Sequence, residues 1–484
     1  MTRIAFFNPY QGGLGGGEKY LYSLLEVAVR AGTQVTLFTP GRAPRELWEE
    51  LGISVASNEV DWRHAGQLSV TARTLRWDLF VAITNHFPPL SGARRSAAIV
   101  QFPFSRLDEA SHMPLGLGRL RALERRLRLN SYDSLVCYSE FVRDAIADRL
   151  GVRDAIVLPP PVDVKGAVPA AKESRIIAVG RFFPAEDANN KKHDVLIEAF
   201  RRLHAGGRAP GWSLHLAGGC TEDAPSQAYL RRLRELAAGL PIEFHPNVSR
   251  ATLAEMYGNS ALFWHAAGHG EELPERFEHF GITTVEAMAF GCVPLVPALG
   301  GQLEIVEDGR NGRLWRSIDG LVGQTAELIA DVGRREALAA AALRDAARFD
   351  KDCFVARARK ELIEPALGAG RVLPKTDDAA GLGMGHDAEA HLIVIGPEHL
   401  DHPEEVSVPG GAALDVGHRE RDVMDTRDRG HCPSLFRRGA PAPLSSWYIV
   451  EHGGATPGGC DDVEVVGQRG SVELTSVERS DTSK

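Results

Sequence analysis

Residues 159–180 read PPPVDVKGAVPAAKESRIIAVG. A proline-rich run gives way to a short apolar strand that ends in glycine. Proline fixes φ and removes a backbone donor, so the run reads as a linker, and RIIAVG (175–180) reads as the first strand of a new unit. Before the linker, short apolar runs alternate with segments of helical spacing. IAFFNP (4–9) is followed by a glycine turn and the helix EKYLYSLLEVAVRAG, which ends at Gly32. QVTLFTP, LFVAIT (79–84), AAIVQF (97–102), SLVCYS (134–139) and AIVLPP (155–160) continue the series, with LGRLRALERRLRL and EFVRDAIADRL as helices between them. The alternation restarts after the linker: DVLIEAFRRL, WSLHLAGG, AYLRRLRELAAGL, IEFHPNV and TLAEMYGNSALFWHAAG follow in turn. Helices expected at 319–345 and 353–364 close the second unit. Strands alternating with amphipathic helices imply parallel sheets covered on both faces. The sequence therefore predicts an α/β protein with one Rossmann-like domain over 1–165 and another over 166–366.

Residues 367–484 break this pattern. Gly, Asp, Glu, His, Arg and Pro are mixed without period, and only HLIVIG (391–396) and WYIVEH (447–452) look strand-like. Such a stretch has little apolar surface to set against its ordering entropy. It reads as a low-order tail, with the composition of a disordered appendix or of GC-rich coding sequence read out of frame. His386, His391, His399 and His402 fall here without a ligand pattern, and no metal is expected.

The chain has 484 residues, 44% hydrophobic and 25% charged, which suits a soluble protein of two or three domains. A net charge of -9 and a pI near 6.0 exclude a general nucleic-acid binder. Its six cysteines are far apart, with no CxxC pair, so neither a disulfide framework nor a zinc site is indicated. A reducing, cytoplasmic compartment is expected. The opening IAFF run is too short for a signal peptide or a membrane span.

Four loops carry candidate chemistry. GGLGGGEKY (12–20) places Gly15, Gly16 and Gly17 between a strand and a helix, where backbone amides can approach an anion. It is neither a proper GxGxxG nor a Walker loop, because Lys19 follows Glu18 and no GK[ST] exists. In GRFFPAEDANNKKHD, Arg181 closes a strand, and Lys191 and Lys192 precede a helix, a cationic set suited to a diphosphate. In ERFEHFGITTVEAMAFGCVPLV (275–296) a helix should begin near Ile282. Its first amides are then free, Glu286 lies in its first turn or two, and Glu278 lies outside it. In PALGGQLEIVEDGRNGRLW (297–315), Gly300 and Gly301 end a strand and Glu304 follows.

Taken in order, these four motifs resemble the GT4 family of retaining glycosyltransferases, with the GT-B fold of two Rossmann-like domains facing across a cleft. The resemblance covers roughly 1–365. The wording FWHAAGHGE…ERFEHFGITTVEAMA with NKKHDVLIEAF is most similar to a subgroup of eukaryotic GDP-mannose-dependent mannosyltransferases. The resemblance implies roles residue by residue. Arg181 and Lys191 neutralise the leaving diphosphate, Glu278 takes sugar hydroxyls, and Glu286 takes the ribose. Phe280 and Gly281 present backbone amides to the sugar, with Thr284 and Val285 facing the phosphates. Gly15, Gly16 and Gly17 line the cleft, and Gly300, Gly301 and Glu304 stand beside the donor. No metal or cofactor is implied beyond a nucleotide-sugar, GDP-mannose or a UDP-sugar, and the acceptor is a glycan or a lipid-linked glycan of cell-surface polysaccharide synthesis.

The sequence also departs from the family. The family often has a histidine near the reacting carbon, and here the matching place is Gln101, with His86 the nearest alternative. Lys192 stands where glycine is usual, so either Lys191 or Lys192 could serve. Other readings are a nucleotide-sugar epimerase, an NAD-dependent oxidoreductase that would need a true GxGxxG, and a non-catalytic sugar-nucleotide binder. Finally, GRLRALERRLRLN (118–130) puts leucines on one helical face and arginines around it, which suits an anionic membrane surface.

Overall fold

The computed structural model describes residues 1–10, 16–40, 48, 53–55, 59–84, 87–102, 115–165, 171–184 and 190–368, and strands at 392–395, 406–407, 413–414, 448–452, 461–467 and 470–477. Residues 1–373 form one compact unit and 374–484 a second.

The first unit holds two parallel sheets. In the first lobe, β1 (Arg3–Phe7), α1 (Gly16–Arg30), β2 (Gln34–Thr39), β3 (Val60–His64), α2 (Gln67–Thr71), β4 (Leu79–Thr84), β5 (Ser96–Val100), α3 (Leu115–Asn130), β6 (Ser134–Cys137), α4 (Glu140–Leu150) and β7 (Ile156–Val157) follow one another. The sheet order is β3-β2-β1-β4-β5-β6-β7. Its central strands are continuous apolar runs because both faces are covered: all six residues of β4 are buried. Strand β3, VDWRH, escaped the sequence reading because its polar residues are largely exposed.

The second lobe runs β8 (Glu173–Val179), α5 (His193–Ala205), β9 (Ser213–Gly218), α6 (Ala224–Leu236), β10 (Ile242–Pro246), α7 (Arg250–Asn259), β11 (Ser260–Trp264), α8 (Ile282–Ala289), β12 (Val293–Pro297), α9 (Gln302–Ile305), β13 (Arg313–Trp315), α10 (Ile318–Ala330) and α11 (Val332–Ala346). Its order is β10-β9-β8-β11-β12-β13. The chain steps outward from β8 to β9 and β10, then crosses back to place β11 on the other side of β8. The carboxyl ends of β8 and β11 therefore open a crevice at a topological switch point. The helix expected over 319–345 is two helices, because Asp331 ends α10 and its side chain accepts from Arg334 N (2.8 Å) to cap α11.

The closing helices depart from expectation. α12 (Lys351–Ala358), the π-helical turn Arg359–Ile363 and α13 (Glu364–Gly368) return to the first lobe instead of closing the second. Lys351 pairs with the buried Glu26 of α1 at 2.8 Å. The Phe354 ring meets Tyr20 edge-on at 5.3 Å, and Arg357 donates to Val157 O at 2.6 Å. One hydrophobic core, from Ile4 and Leu24 to Phe280, Val285 and Phe354, runs through both lobes.

In the second unit, β14 (Leu392–Ile395), β17 (Tyr448–His452), β18 (Asp461–Gly467) and β19 (Gly470–Val477) form an antiparallel sheet, and β15 (Val406–Ser407) pairs with β16 (Ala413–Leu414). Two of these strands fall on the two apolar islands seen in the sequence. The β18–β19 hairpin, DDVEVVG against GSVELTSV, was hidden by its polar alternate positions. His386, His391, His399 and His402 lie outside the described residues.

Candidate active site

The crevice of the second lobe gathers the second and third sequence motifs. Gly180 ends β8 and leaves room for Lys191: a Cβ there would lie 2.6 Å from Lys191 Cγ. The Lys191 side chain crosses Gly180 and its Nζ donates to Glu278 Oε2 at 2.7 Å. His265, buried just past the end of β11, has its Nε2 3.0 Å from the same oxygen. Burial alone would raise the Glu278 carboxyl. The Lys191 ammonium and the His265 imidazole outweigh it and hold the group well below the usual carboxylate range. Arg181 is exposed, its guanidinium lies 4.4 Å over the Phe183 ring, and among the described residues it has no carboxylate partner. It is a cation held in place over a ring.

The two lysines are separated by the backbone. Lys192 has φ 55 and ψ 45 and stands as the N-cap of α5. Glycine adopts that left-handed conformation more readily, which accounts for the family's usual residue there. Asn190, buried, holds the turn: its Oδ1 accepts from Lys192 N at 2.7 Å, and its Nδ2 donates to Phe183 O and Pro184 O at 2.6 and 3.0 Å. Lys192 then points to Glu271, which Arg276 also contacts at 3.2 Å. Lys191, not Lys192, reaches Glu278.

Helix α8 begins at Ile282 as expected, after Gly281 with φ 121. A side chain at Gly281 would collide with the buried Gln302, whose Oε1 accepts from Thr284 Oγ1 at 3.0 Å. The expectation for its amides needs correction. Thr284 N and Val285 N both donate to Gly281 O, at 3.0 and 3.2 Å, so they are spent inside the first turn. The amides without an acceptor among the described residues are those of Phe280, Gly281, Ile282 and Thr283. The Phe280 ring itself is core, edge-on to Phe349 at 5.3 Å, so only its backbone faces the crevice loop.

Glu286, in the second turn of α8, accepts from Tyr257 OH at 3.3 Å. Lys19 of α1 lies within electrostatic reach of it: burial pushes the Lys19 ammonium down, and Glu286 opposes that shift. Sequence reasoning set Lys19 aside because it fits no Walker loop. Gly16 is where the lobes meet, and Gly17 packs within the first lobe. A Cβ on Gly16 would lie 2.9 Å from Ile282 Cδ1, and one on Gly17 would lie 2.1 Å from Gln101 Nε2. Gln101, which also bonds to Tyr138, therefore sits against the first turn of α1. Gly15 and His86 lie outside the described residues.

Gly300 and Gly301 hold the loop that carries Glu278, and the expectation for Glu304 changes. Gly301 N donates to Glu278 O at 2.8 Å, and a Cβ on either glycine would come 2.4 Å from a backbone oxygen of that loop. Glu304 is drawn to the other lobe, where its two oxygens accept from Glu140 N (2.9 Å) and Phe141 N (2.8 Å) and cap α4. Burial raises its carboxyl, and the two amides only partly offset this. Ser139 joins the same junction, donating to His279 O at 2.6 Å and accepting from Val142 N at 3.2 Å. The Phe102 ring stacks on His279 at 4.3 Å, and Arg149 pairs with Glu275 at 2.8 Å. Only SEFV (139–142), an N-cap pattern, hinted at this junction in the sequence.

Known proteins resemble this chain in sequence and fold. The family model described as Glycosyltransferase Family 4 matches residues 14–165, and that described as Glycosyl transferases group 1 matches 165–345. Together they cover the two lobes. The chain belongs to glycosyltransferase family 4. Mannosylfructose-phosphate synthase of Agrobacterium fabrum is 33% identical over 141 residues, 28% of this chain and 28% of that protein. The GDP-Man:Man(3)GlcNAc(2)-PP-Dol alpha-1,2-mannosyltransferase of Xenopus laevis is 30% identical over 157 residues, 31% of this chain and 29% of that protein. These matches thus span under a third of the relatives' own length. Anabaena HepE, solved in complex with UDP, superposes with a TM-score of 0.57 at 18% identity, over 75% of this chain and all of that one. The family-4 chain thus has the GT-B fold, and among its described residues no helix is long and apolar enough to cross a membrane.

Proposed function

We propose that this protein is a retaining, metal-independent glycosyltransferase that moves a hexose, mannose from GDP-mannose in the best reading, onto a glycan or lipid-linked acceptor of cell-surface polysaccharide synthesis. The observation that carries the reading is the Lys191–Glu278–His265 cluster at the switch point, with Arg181 held over Phe183 at the end of β8. Sugar transfer leaves negative charge on a diphosphate and positive charge at the anomeric carbon. Arg181, Lys191 and the free amides at the start of α8 supply fixed positive charge for the first. Glu278, ionised and held from two sides, accepts sugar hydroxyls, and Glu286 accepts those of the ribose. The acceptor attacks from the face the diphosphate leaves, and the departing phosphate oxygen takes its proton, so Gln101 need not act as a base.

A UDP-sugar donor is the second reading, favoured by the UDP complex of the structural neighbour. Thermal-shift titration with GDP, UDP and ADP and their sugars separates the two, and NMR of the product anomer tests retention. A rise with GDP-mannose alone supports the first reading. No rise with any nucleotide rejects both, and binding without transfer to any acceptor marks a non-catalytic binder.

Helix α3 supports a place at the cytoplasmic face of a membrane. Leu123 and Leu127 are each 50% exposed, with Arg121 and Arg126 exposed beside them. That mixture suits shallow insertion among anionic lipids. Co-sedimentation with phosphatidylglycerol vesicles should fall in Leu123→Ser/Leu127→Ser; equal sedimentation with neutral vesicles would count against it.

A further inference from the structure

Away from the crevice, the outer edge of the second sheet carries a cluster that the proposed transfer does not use. Strand β10 is the edge strand and pairs in parallel with β9, with Glu243 opposite His215 and His245 opposite Ala217. Because side chains alternate along a strand, Glu243, His245 and His215 share one face. His215 is buried, His245 is 25% exposed and Glu243 61%. His215 Nδ1 lies 3.0 Å from His245 Nε2, and the two rings are 9° from parallel. Glu243 Oε2 lies 3.8 Å from the first nitrogen and 3.6 Å from the second.

These three atoms make a nearly even triangle whose corners are about 2 Å from a common centre, the length of a zinc–imidazole or zinc–carboxylate bond. The donor set, two imidazoles and a carboxylate, is one that borderline divalent ions accept, with water completing the shell. His215 Nε2 also contacts Ser213 Oγ at 2.9 Å. A hydroxyl accepting Nε2–H leaves the Nδ1 lone pair facing the cluster, the kind of partner that fixes a ligating histidine. Burial disfavours the charged form of both rings. Arg175, the nearby cation, is paired with Glu173 at 2.7 Å.

We propose that His215, Glu243 and His245 bind a divalent ion of the zinc class that fastens edge strand β10 to β9. Without the ion, a single N–H bridges the two rings. On binding, the His245 proton moves from Nε2 to Nδ1, both facing nitrogens ligate, and no redox change occurs. The ion is structural: it sits on the sheet edge, on residues other than those that hold the diphosphate in the proposed reaction.

The test uses the full chain, cleared of metal with a chelator and titrated with Zn²⁺ by calorimetry and thermal shift. One Zn²⁺ should bind at this site, and excess metal should raise the melting midpoint by a few degrees. Glu243→Gln and His245→Ala sit on the exposed edge and should fold as the wild type by circular dichroism. Each should weaken binding by more than about 10-fold and lose the midpoint shift. Ser213→Ala should weaken it less. A wild type that takes up no zinc would overturn the assignment. Equal binding by the wild type and both edge variants would do the same, placing the ion elsewhere on the chain.

Discussion

Lys191 and Lys192 carry the same side chain one residue apart, and the backbone sends them to different carboxylates. The left-handed turn at Lys192 directs that side chain to Glu271, while Lys191 crosses Gly180 to Glu278. Lys191→Ala should therefore lower kcat/KM by about 100-fold, the scale of losing one preorganised donor to a developing anion. Lys192→Gly trades a largely buried ion pair with Glu271, which keeps Arg276, for a relaxed backbone, and its stability should stay within about 1 kcal/mol of wild type. Steady-state kinetics and urea denaturation of both variants check this; equal kinetic losses would remove the special place given to Lys191. The pair also carries a pH signature. Glu278 is depressed in the fold, so its contribution is present above the unfolded value of about 4.3 and is lost as pH falls. Between pH 5 and 3, urea midpoints should drop less steeply in Lys191→Ala than in the wild type. The sequence put Arg181 and Lys191 on one loop and Glu278 on another at strand ends of one lobe, and the fold brings Lys191 to Glu278; the roles proposed for them rest on the family resemblance, since charge on a loop has an ordinary place in solvent. His265 was not legible, because a histidine after an apolar strand looks the same whether it packs in the core or orients a carboxylate.

Among elements, the loop from β11 to α8 is the one that everything else braces. Gly300 and Gly301 support it from the second lobe, and Ser139 and Phe102 brace it from the first, with Glu304 of the second lobe capping α4 beside them. The start of α8 was legible in the residues around Ile282, and this brace was not. A helix start is written in local residue types, whereas a glutamate that caps a helix 164 positions earlier leaves no local trace. The same limit explains why Thr284 and Val285 were counted with Thr283 among the free amides although both are spent on Gly281 O: local residue types do not say which N–H of a first turn is used. Glu304→Gln should test the brace. The amide keeps one acceptor oxygen for two backbone donors and removes the charge favoured at a helix N-terminus, at a cost of about 1 kcal/mol. Because Ser139 serves the same junction, Glu304→Gln with Ser139→Ala should cost measurably less than the sum of the single variants. Strict additivity in urea denaturation would mean that the two contacts are independent.

At the scale of the molecule, the return of α12 and α13 to the first lobe sets where the folded unit ends. Alternation of strands and helices was enough to infer two parallel sheets, because strands buried on both faces must be apolar throughout. It could not tell which lobe the last helices cover, since an amphipathic helix states that it has a partner but not which one. The contacts decide: Phe354 lies on Tyr20, Lys351 on Glu26, and Val162 and Lys351 exchange backbone hydrogen bonds with their neighbours across the lobe boundary. Residues 374–484 form a compact unit of their own. Two truncations should therefore behave oppositely. A chain ending at Leu373 keeps α12 and α13 and should retain the melting transition of the two lobes and its response to nucleotide. A chain ending at Ala346 strips the cover from Tyr20 and leaves Glu26 with Arg30 but without Lys351, exposing apolar surface and removing one of two cations from a carboxylate. It should be insoluble or lose cooperative melting, as read by circular dichroism and size-exclusion chromatography. Loss of folding in the longer truncation product would show that the lobes depend on the second unit, and a well-folded shorter one would deny the returning helices their part in holding the first lobe together.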